Sequence, residues 1–406
     1  MIRYPLLDVC ARIDGHNTQH NMLREYCRDF SDWENMVACA EREGMAPLLR
    51  KHLEEAGCDY PSGVRMTLKV LENRHRHCAR MRIEVLQEVL TLMRQHSLSP
   101  IVIKGAALCF TLYPDPALRP MRDIDILFRK EEVDDAQQLL REMGFASSGS
   151  PVPPDHYHLP PLHKTVGEMK VCFELHRGLY PNCPPYYPDV DFDRLYRSAK
   201  KITVGDVGAV TFGDEEMLNY LFLHGVRSPI SYENFKLINI ADVVGFVEKN
   251  CRSLDWDGIG KRYPLLYKSL PTMHHITPWN HDNVPKEFVA LTGEKKRLEP
   301  KPFVGWPQRK LKELRKTATV AEILKETFVP SSWWVRAYYG VSSKTEMLAA
   351  RFFHHPRHVF WWVRLYSGFL DKSPGAGEAG TKRVLGRLMN IRILAVMQKL
   401  FGRAAR

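Results

Sequence analysis

Residues 104–128 read KGAALCFTLYPDPALRPMRDIDILF, and the run Asp123-Ile124-Asp125-Ile126 near its end decides how the chain is built. In an extended strand successive side chains point to opposite faces, so Asp123 and Asp125 share one face and Ile124 and Ile126 the other. The isoleucine face asks for a core. The aspartate face carries two carboxylates that repel each other unless a cation lies between them. Just upstream, PIVI is a short apolar run between the breaker SLSP and a Lys104–Gly105 turn, which predicts a buried strand leading into a short helix, AALCFTLY. Downstream, KEEVDDAQQLLREMGF predicts a helix closed by Gly144, and MKVCFELHRGL a further strand.

On either side of this small α/β unit the chain reads as helical. SDWENMVACAEREGMAPLLRKHLEEAG has apolar residues at helical spacing, with Ser31 as its expected N-cap, and residues 64–96 continue as one long amphipathic helix or two. Residues 214–250, 255–268 and 322–370 read as helices, the last rich in Trp and Tyr. Trp333, Trp334, Trp361 and Trp362 stand at helical spacing, which favours packing over a stacking platform. The expected organisation is a helical region over 1–98, the core over 99–212, a helical domain over 213–372, and a linker with a basic amphipathic helix over 373–406.

Composition limits the function classes. A chain of 406 residues with 44% hydrophobic content has length for two or three domains with ordinary cores. Its nine cysteines form no CxxC pair and read as thiols of a reducing compartment. The N-terminus lacks a signal-peptide pattern, and no apolar run is long enough to span a bilayer, so a cytoplasmic location is expected. Residues 373–406 hold seven Lys and Arg against Glu378 alone, more than half of the +11 net charge. The body is therefore only mildly basic, which argues against nucleic acid as a partner.

The order strand, Gly turn, helix, loop, D-x-D strand and later carboxylate strand points to metal-assisted phosphoryl chemistry. Asp123 and Asp125 on one face, with Glu174 from a neighbouring strand, could hold Mg²⁺ or Mn²⁺ over an NTP. On its own strand Glu174 shares a face with Cys172 and His176, so His176 could hydrogen-bond a ligand carboxylate, contact phosphate, or be a plain structural histidine. Gly105 at a helix start lets the backbone approach phosphate oxygens. Lys104, Arg119 and Arg122 are the cations placed to neutralise a triphosphate. His156, His158 and His163 with Asp155 fit no standard zinc spacing and read as a loop near the site. Asp242, on an amphipathic helix, reads by default as solvated or capping, with an approach to the base or acceptor as the alternative.

The series IVIKGAAL, LRPMRDIDILF, LLREMGF and FELHRGL resembles the uncharacterised nucleotidyltransferase family of the polymerase-β-type superfamily. The resemblance extends through HYHLPPLH, LNYLFLHG, DVVGFVEKN with LDWDGI, and FVPSSWWVRAYYG, roughly residues 30 to 370. It implies an α+β fold, a small mixed-sheet nucleotidyltransferase core between N- and C-terminal helical regions. By the same resemblance Asp123 and Asp125 are the metal-binding pair, Glu174 the third acidic ligand, and Gly105 part of the phosphate turn. That turn reads Lys104–Gly105–Ala106 where the superfamily commonly carries Gly-Gly or Gly-Ser. The acceptor stays open.

Two other classes compete. A D-x-D glycosyltransferase normally places a longer series of β-α units before its D-x-D, and only one strand is evident here before Asp123. A non-catalytic or antitoxin-like binding protein on the same scaffold would not need all three carboxylates. The final segment, 381–406, places Leu385, Met389, Ile393, Val396 and Leu400 on one stripe flanked by basic residues, the pattern of a reversible anchor for an anionic membrane or a partner groove, or of a helix packed back onto the body.

Overall fold

The computed structural model describes residues 4–147, 152, 156–180, 187, 190–228, 236–292 and 298–362. The linker and the basic segment 381–406 lie outside these residues. At the N-terminus come α1 (Pro5–Asp8), α2 (Asn17–Cys27), α3 (Trp33–Arg42), α4 (Ala46–Glu55) and α5 (Ser62–Gln95). Ser31 is not the cap of α3: the preceding residue is Asp32, whose carboxylate is taken by Tyr4 Oη at 2.6 Å and Asn35 Nδ2 at 2.8 Å. Gly44 at φ 74° then stops α3, so this helical stretch is two helices. The following stretch is one helix of 34 residues, burying Leu68, Ala79, Leu86, Val89, Leu90 and Met93 along one side.

The sheet has seven strands: β1 (Ile101–Val102), β2 (Ile124–Leu127), β3 (Ala146–Ser147), β4 (Leu162–Val166), β5 (Met169–His176), β6 (Lys200–Val204) and β7 (Val207–Thr211). Their order is β3-β4-β5-β2-β1-β7-β6, with helices on both sides. The pairs β2–β5 and β1–β7 run parallel and the rest antiparallel, so the sheet is mixed and the fold class is α+β. Between and after the strands lie α6 (Lys104–Thr111), α7 (Val133–Glu142), α8 (Phe192–Ser198), α9 (Asp214–Leu221) and α10 (Leu237–Asn250). Part of the expected Pro- and His-rich loop is strand β4, paired along its length with β5 through the Gly167 turn at φ 58°.

Register places the chemistry. Asp125 stands opposite Glu174, with Ile124 opposite Phe173 and Ile126 opposite Leu175. Ile124, Ile126 and Phe173 are 0% exposed and Leu175 1%, so a slip of one residue would drive carboxylates into that core.

The chain divides into two compact units, one of Met1–Ser228, Phe235–Pro302 and Ser331–Ser343, the other of Pro229–Asn234, Phe303–Pro330 and Lys344–Arg406. In the first, Trp333 is buried and donates Nε1–H to the Thr272 carbonyl at 3.1 Å, and Trp334 stacks on Tyr338 at 4.4 Å between centroids, so both are packing residues. In the second, a capping box joins Thr319 and Glu322, and His355 Nε2 lies 2.7 Å from the Thr327 carbonyl. Cys10, Cys27, Cys39, Cys58, Cys78, Cys109, Cys172 and Cys251 are free thiols. Among the described residues no helix is long and apolar enough to cross a membrane.

A buried ion pair fastens the N-terminal segment of the first unit. The fully buried Arg12 guanidinium meets Glu248 Oε2 of α10 at 2.6 Å and donates to the carbonyls of Asp14 and Pro278. Burial pulls Arg12 down and Glu248 up from their ordinary pKa values, and the pairing offsets the cost of burying each charge. Glu248→Ala should therefore cost about 3–5 kcal/mol, read as a lower denaturant midpoint.

Candidate active site

The strand-end carboxylates meet a lysine from the turn above β1. Lys104 Nζ lies 2.6 Å from Asp125 Oδ1, and His176 Nε2 lies 2.8 Å from the same oxygen. Asp125 is 2% exposed and His176 0%. Burial would raise the Asp125 carboxyl, but Lys104 and His176 outweigh it and hold it well below the usual carboxylate range. Burial and the Lys104 charge both work against a His176 cation, yet its hydrogen bond to Asp125 and the nearby Glu174 carboxylate leave its pKa raised. Glu174 Oε2 is 3.7 Å from His176 Nε2. Burial would raise Glu174 too; the close approach of His176 and the Lys104 charge bring it below its ordinary value despite the nearby Asp125 charge.

Asp123 carries the strain of the arrangement. Burial, then the charges of Asp125 and Glu174, push its carboxyl up to about 6, with Lys104 only partly opposing them. Three carboxylates therefore crowd one side of the sheet against one lysine. Ligand atoms of Asp125, Glu174 and His176 all lie within 4.8 Å of one another. With Asp123 just ahead of β2, its carboxyl acted on by the other two, this oxygen-rich set suits a hard divalent cation, which would relieve the repulsion that raises Asp123.

The turn departs from expectation in an instructive way. Lys104, and not Gly105, takes the left-handed conformation, at φ 53°. Such a backbone in a residue with a Cβ costs on the order of 1 kcal/mol and is kept where the surroundings fix it, here by the Lys104–Asp125 bond. Gly105 is needed for space: a Cβ there would stand 2.9 Å from Met121 Cγ and 3.3 Å from an Arg119 terminal nitrogen. It thus lets the loop before β2 close over the start of α6.

Of the two loop arginines, Arg119 is turned away from the carboxylates. Its Nε and one terminal nitrogen each reach an Asp242 oxygen at 2.7 Å, and Tyr113 Oη donates to Asp242 Oδ1 at 2.8 Å. Asp242, expected to be solvated or to cap its helix, is 2% exposed and anchors the loop to α10. Arg122 is exposed, with no ion pair among the described residues. His158 forms a bridge with His176, and its ring stands 3.0 Å from His156, while His163 sits on β4 opposite Cys172. These histidines line the end of β5; Asp155 lies outside the described residues.

Two residues escaped the sequence reading. Tyr220 of α9 is 1% exposed and its hydroxyl has no hydrogen-bond partner, although Lys104 and all three carboxylates act on it. His224 stacks on it at 5.7 Å between centroids, and burial followed by the Lys104 charge lowers its pKa to about 3. His224 lies in a π-helical turn, Phe222–Val226. The four-residue spacing within LNYLFLHG is the signal that pairs them.

The model of an uncharacterised nucleotidyltransferase family matches residues 29–266. The chain belongs to that family. The matched span takes in every carboxylate and cation of the site and ends well before residue 370. No curated protein matches the chain. Among solved structures, an antigenic nucleotidyltransferase-like protein from Paracoccidioides brasiliensis is similar over 50% of this chain and 95% of its own, at 15% identity and a TM-score of 0.31.

For this nucleotidyltransferase-family site, the buried Arg119–Asp242 pair positions the loop that carries Arg122 into β2. Asp242→Asn keeps the shape and removes the counter-charge, and is expected to cost about 3 kcal/mol in denaturant melts. Arg122→Ala, at an exposed position, should leave the same midpoint within about 0.5 kcal/mol.

Proposed function

We propose that this protein is a divalent-metal-dependent nucleotidyltransferase that moves a nucleoside monophosphate from an NTP to an acceptor hydroxyl or phosphate. The observation that carries the reading is the Asp125–Glu174 register, which sets carboxylates side by side on adjacent strands, with Asp123 close enough that both charges raise its carboxyl. Family membership supports the reaction class and removes support from the glycosyltransferase reading. Asp123, Asp125 and Glu174 would hold Mg²⁺ or Mn²⁺. When bound, the metal supplies charge neutralisation at the triphosphate and a more acidic acceptor hydroxyl. The acceptor oxygen forms its bond to the α-phosphorus as the bond to pyrophosphate breaks.

The chain's own residues hold this geometry. His176 fixes the orientation of Asp125. Lys104, held among the carboxylates, and Arg122, exposed at the loop end, are the cations we assign to the phosphates. We give Arg119 the role of positioning residue rather than phosphate contact. The Tyr220 hydroxyl is a free donor for a nucleotide or acceptor oxygen. The free thiols among the described residues support a reducing, cytoplasmic setting.

Calorimetry with Mg²⁺ and each NTP, together with pyrophosphate release, tests the proposal. Glu174→Gln should lower transfer by about 4 kcal/mol, a factor of about a thousand, while the protein stays folded. Equal NTP affinity and equal turnover in wild type and variant would overturn it. A second expectation separates metal binding from folding. Metal-free Asp123→Asn should be at least as stable as wild type, because it removes one of three crowded charges. Mg²⁺ should raise the melting temperature of wild type and leave that of Asp123→Asn nearly unchanged.

A further inference from the structure

A second group of ligating side chains stands on the N-terminal helices. His20 on α2 and His52 and Glu55 on α4 bring one ligand atom each within 4.8 Å of one another. His52 is 0% exposed, and its Nε2 lies 2.9 Å from the Arg12 carbonyl oxygen. A carbonyl only accepts, so Nε2 carries the hydrogen, and in the neutral ring Nδ1 is left with a bare lone pair. That Nδ1 is buried with no hydrogen-bond partner, and so is Nε2 of His20. Glu55 Oε2 faces His52 Nδ1 at 3.7 Å, beyond hydrogen-bond reach. A lone pair and a carboxylate oxygen turned toward each other repel unless a cation lies between them.

The surroundings match a metal centre. The hydrogen bond from His52 Nε2 to a backbone carbonyl is the usual outer partner of a ligating imidazole, fixing both ring orientation and tautomer. Lys51 Nζ holds the Glu55 carboxylate at 3.0 Å and is itself anchored on the Ile13 carbonyl at 2.7 Å, so the third donor is also oriented. The His20 ring lies directly against Gly15, where any Cβ would stand 2.1 Å from its Nε2, so that seat exists only because residue 15 is glycine. Tetrahedral zinc with bonds of ~2.0–2.1 Å separates its ligand atoms by ~3.3 Å, close to the His52–Glu55 spacing.

We infer that His20, His52 and Glu55 form a binding site for a divalent transition metal of the zinc class, separate from the Asp123–Asp125–Glu174 face. Two imidazoles and one carboxylate select such a metal over magnesium, which prefers an all-oxygen set. With Glu55 at the surface, the fourth position opens to water. The metal ties α2 to α4 and leaves His52 with no unsatisfied nitrogen.

The test uses full-length protein stripped with a chelator and then given Zn²⁺ alone. Metal analysis should find one more Zn²⁺ per chain in wild type than in His20→Ala or Glu55→Gln, and each variant should bind that ion at least about 100-fold more weakly, since even loss of an outer partner costs 10–100-fold. These two positions are used because His52 is buried and its removal could unfold the helices. Circular dichroism of the metal-free variants should match wild type. Co²⁺ in place of Zn²⁺ should give visible absorption of a four-coordinate imidazole site in wild type and lose it in both variants. Equal Zn²⁺ stoichiometry and affinity in wild type and variants, or no Zn²⁺ bound by wild type, would overturn the assignment.

Discussion

The bond between Lys104 and Asp125 is the constraint on which the candidate site depends. Parallel pairing of β2 with β5 forces carboxylates from two strands onto one face, and no apolar rearrangement can separate them while Ile124, Ile126, Phe173 and Leu175 fill the other. The lysine answers that repulsion from a turn whose backbone it must strain to reach. His176 adds a second donor from the same strand as Glu174, and Asp123 is left as the least compensated charge. Stability and chemistry compete here, as they do wherever charges are gathered for a ligand that the fold alone does not supply.

Around that face the protein spends buried polar groups on position. Asp242 lies far along the chain from the loop it restrains, yet its two oxygens receive Nε and one terminal nitrogen of Arg119, whose other terminal nitrogen donates to the Pro120 carbonyl, and its first oxygen also accepts from Tyr113. A lysine at 119 could supply the charge and not the planar fork, so the loop would lose its fixed angle of entry into β2.

Much of this was legible in the sequence, for physical reasons. The alternation Asp-Ile-Asp-Ile fixes a two-faced strand whatever surrounds it, and VCFELH repeats the pattern with Glu174 on the matching side. What pairing two strands adopt depends on register, which no local pattern contains, and so the Asp125–Glu174 contact had to be seen. Arg119 reads as a cation for a triphosphate because it precedes the aspartates, and its pairing with Asp242 on α10 is a long-range contact that no local pattern contains. Lys200-Lys-Ile-Thr-Val-Gly-Asp-Val-Gly-Ala-Val-Thr211 did carry a hairpin signal, two β-prone runs around a Gly-Asp turn. Strand β4 begins inside a stretch rich in proline and histidine, where composition speaks for a loop and the partner strand β5 overrules it.

The two parallel pairings have a consequence for how the chain folds. Ile101 must find Val210, and Ile124 must find Phe173, across long intervening segments. Closing such loops costs chain entropy before any contact rewards it, so the central strands join late and slowly compared with the helices that precede them. During synthesis the helical N-terminal segment and β2 emerge well before β5. Until β5 arrives, Asp123 and Asp125 remain an unpaired, water-facing edge, and a charged edge is a poor template for association with other chains. The charges that make the folded site tense thus also protect the nascent sheet.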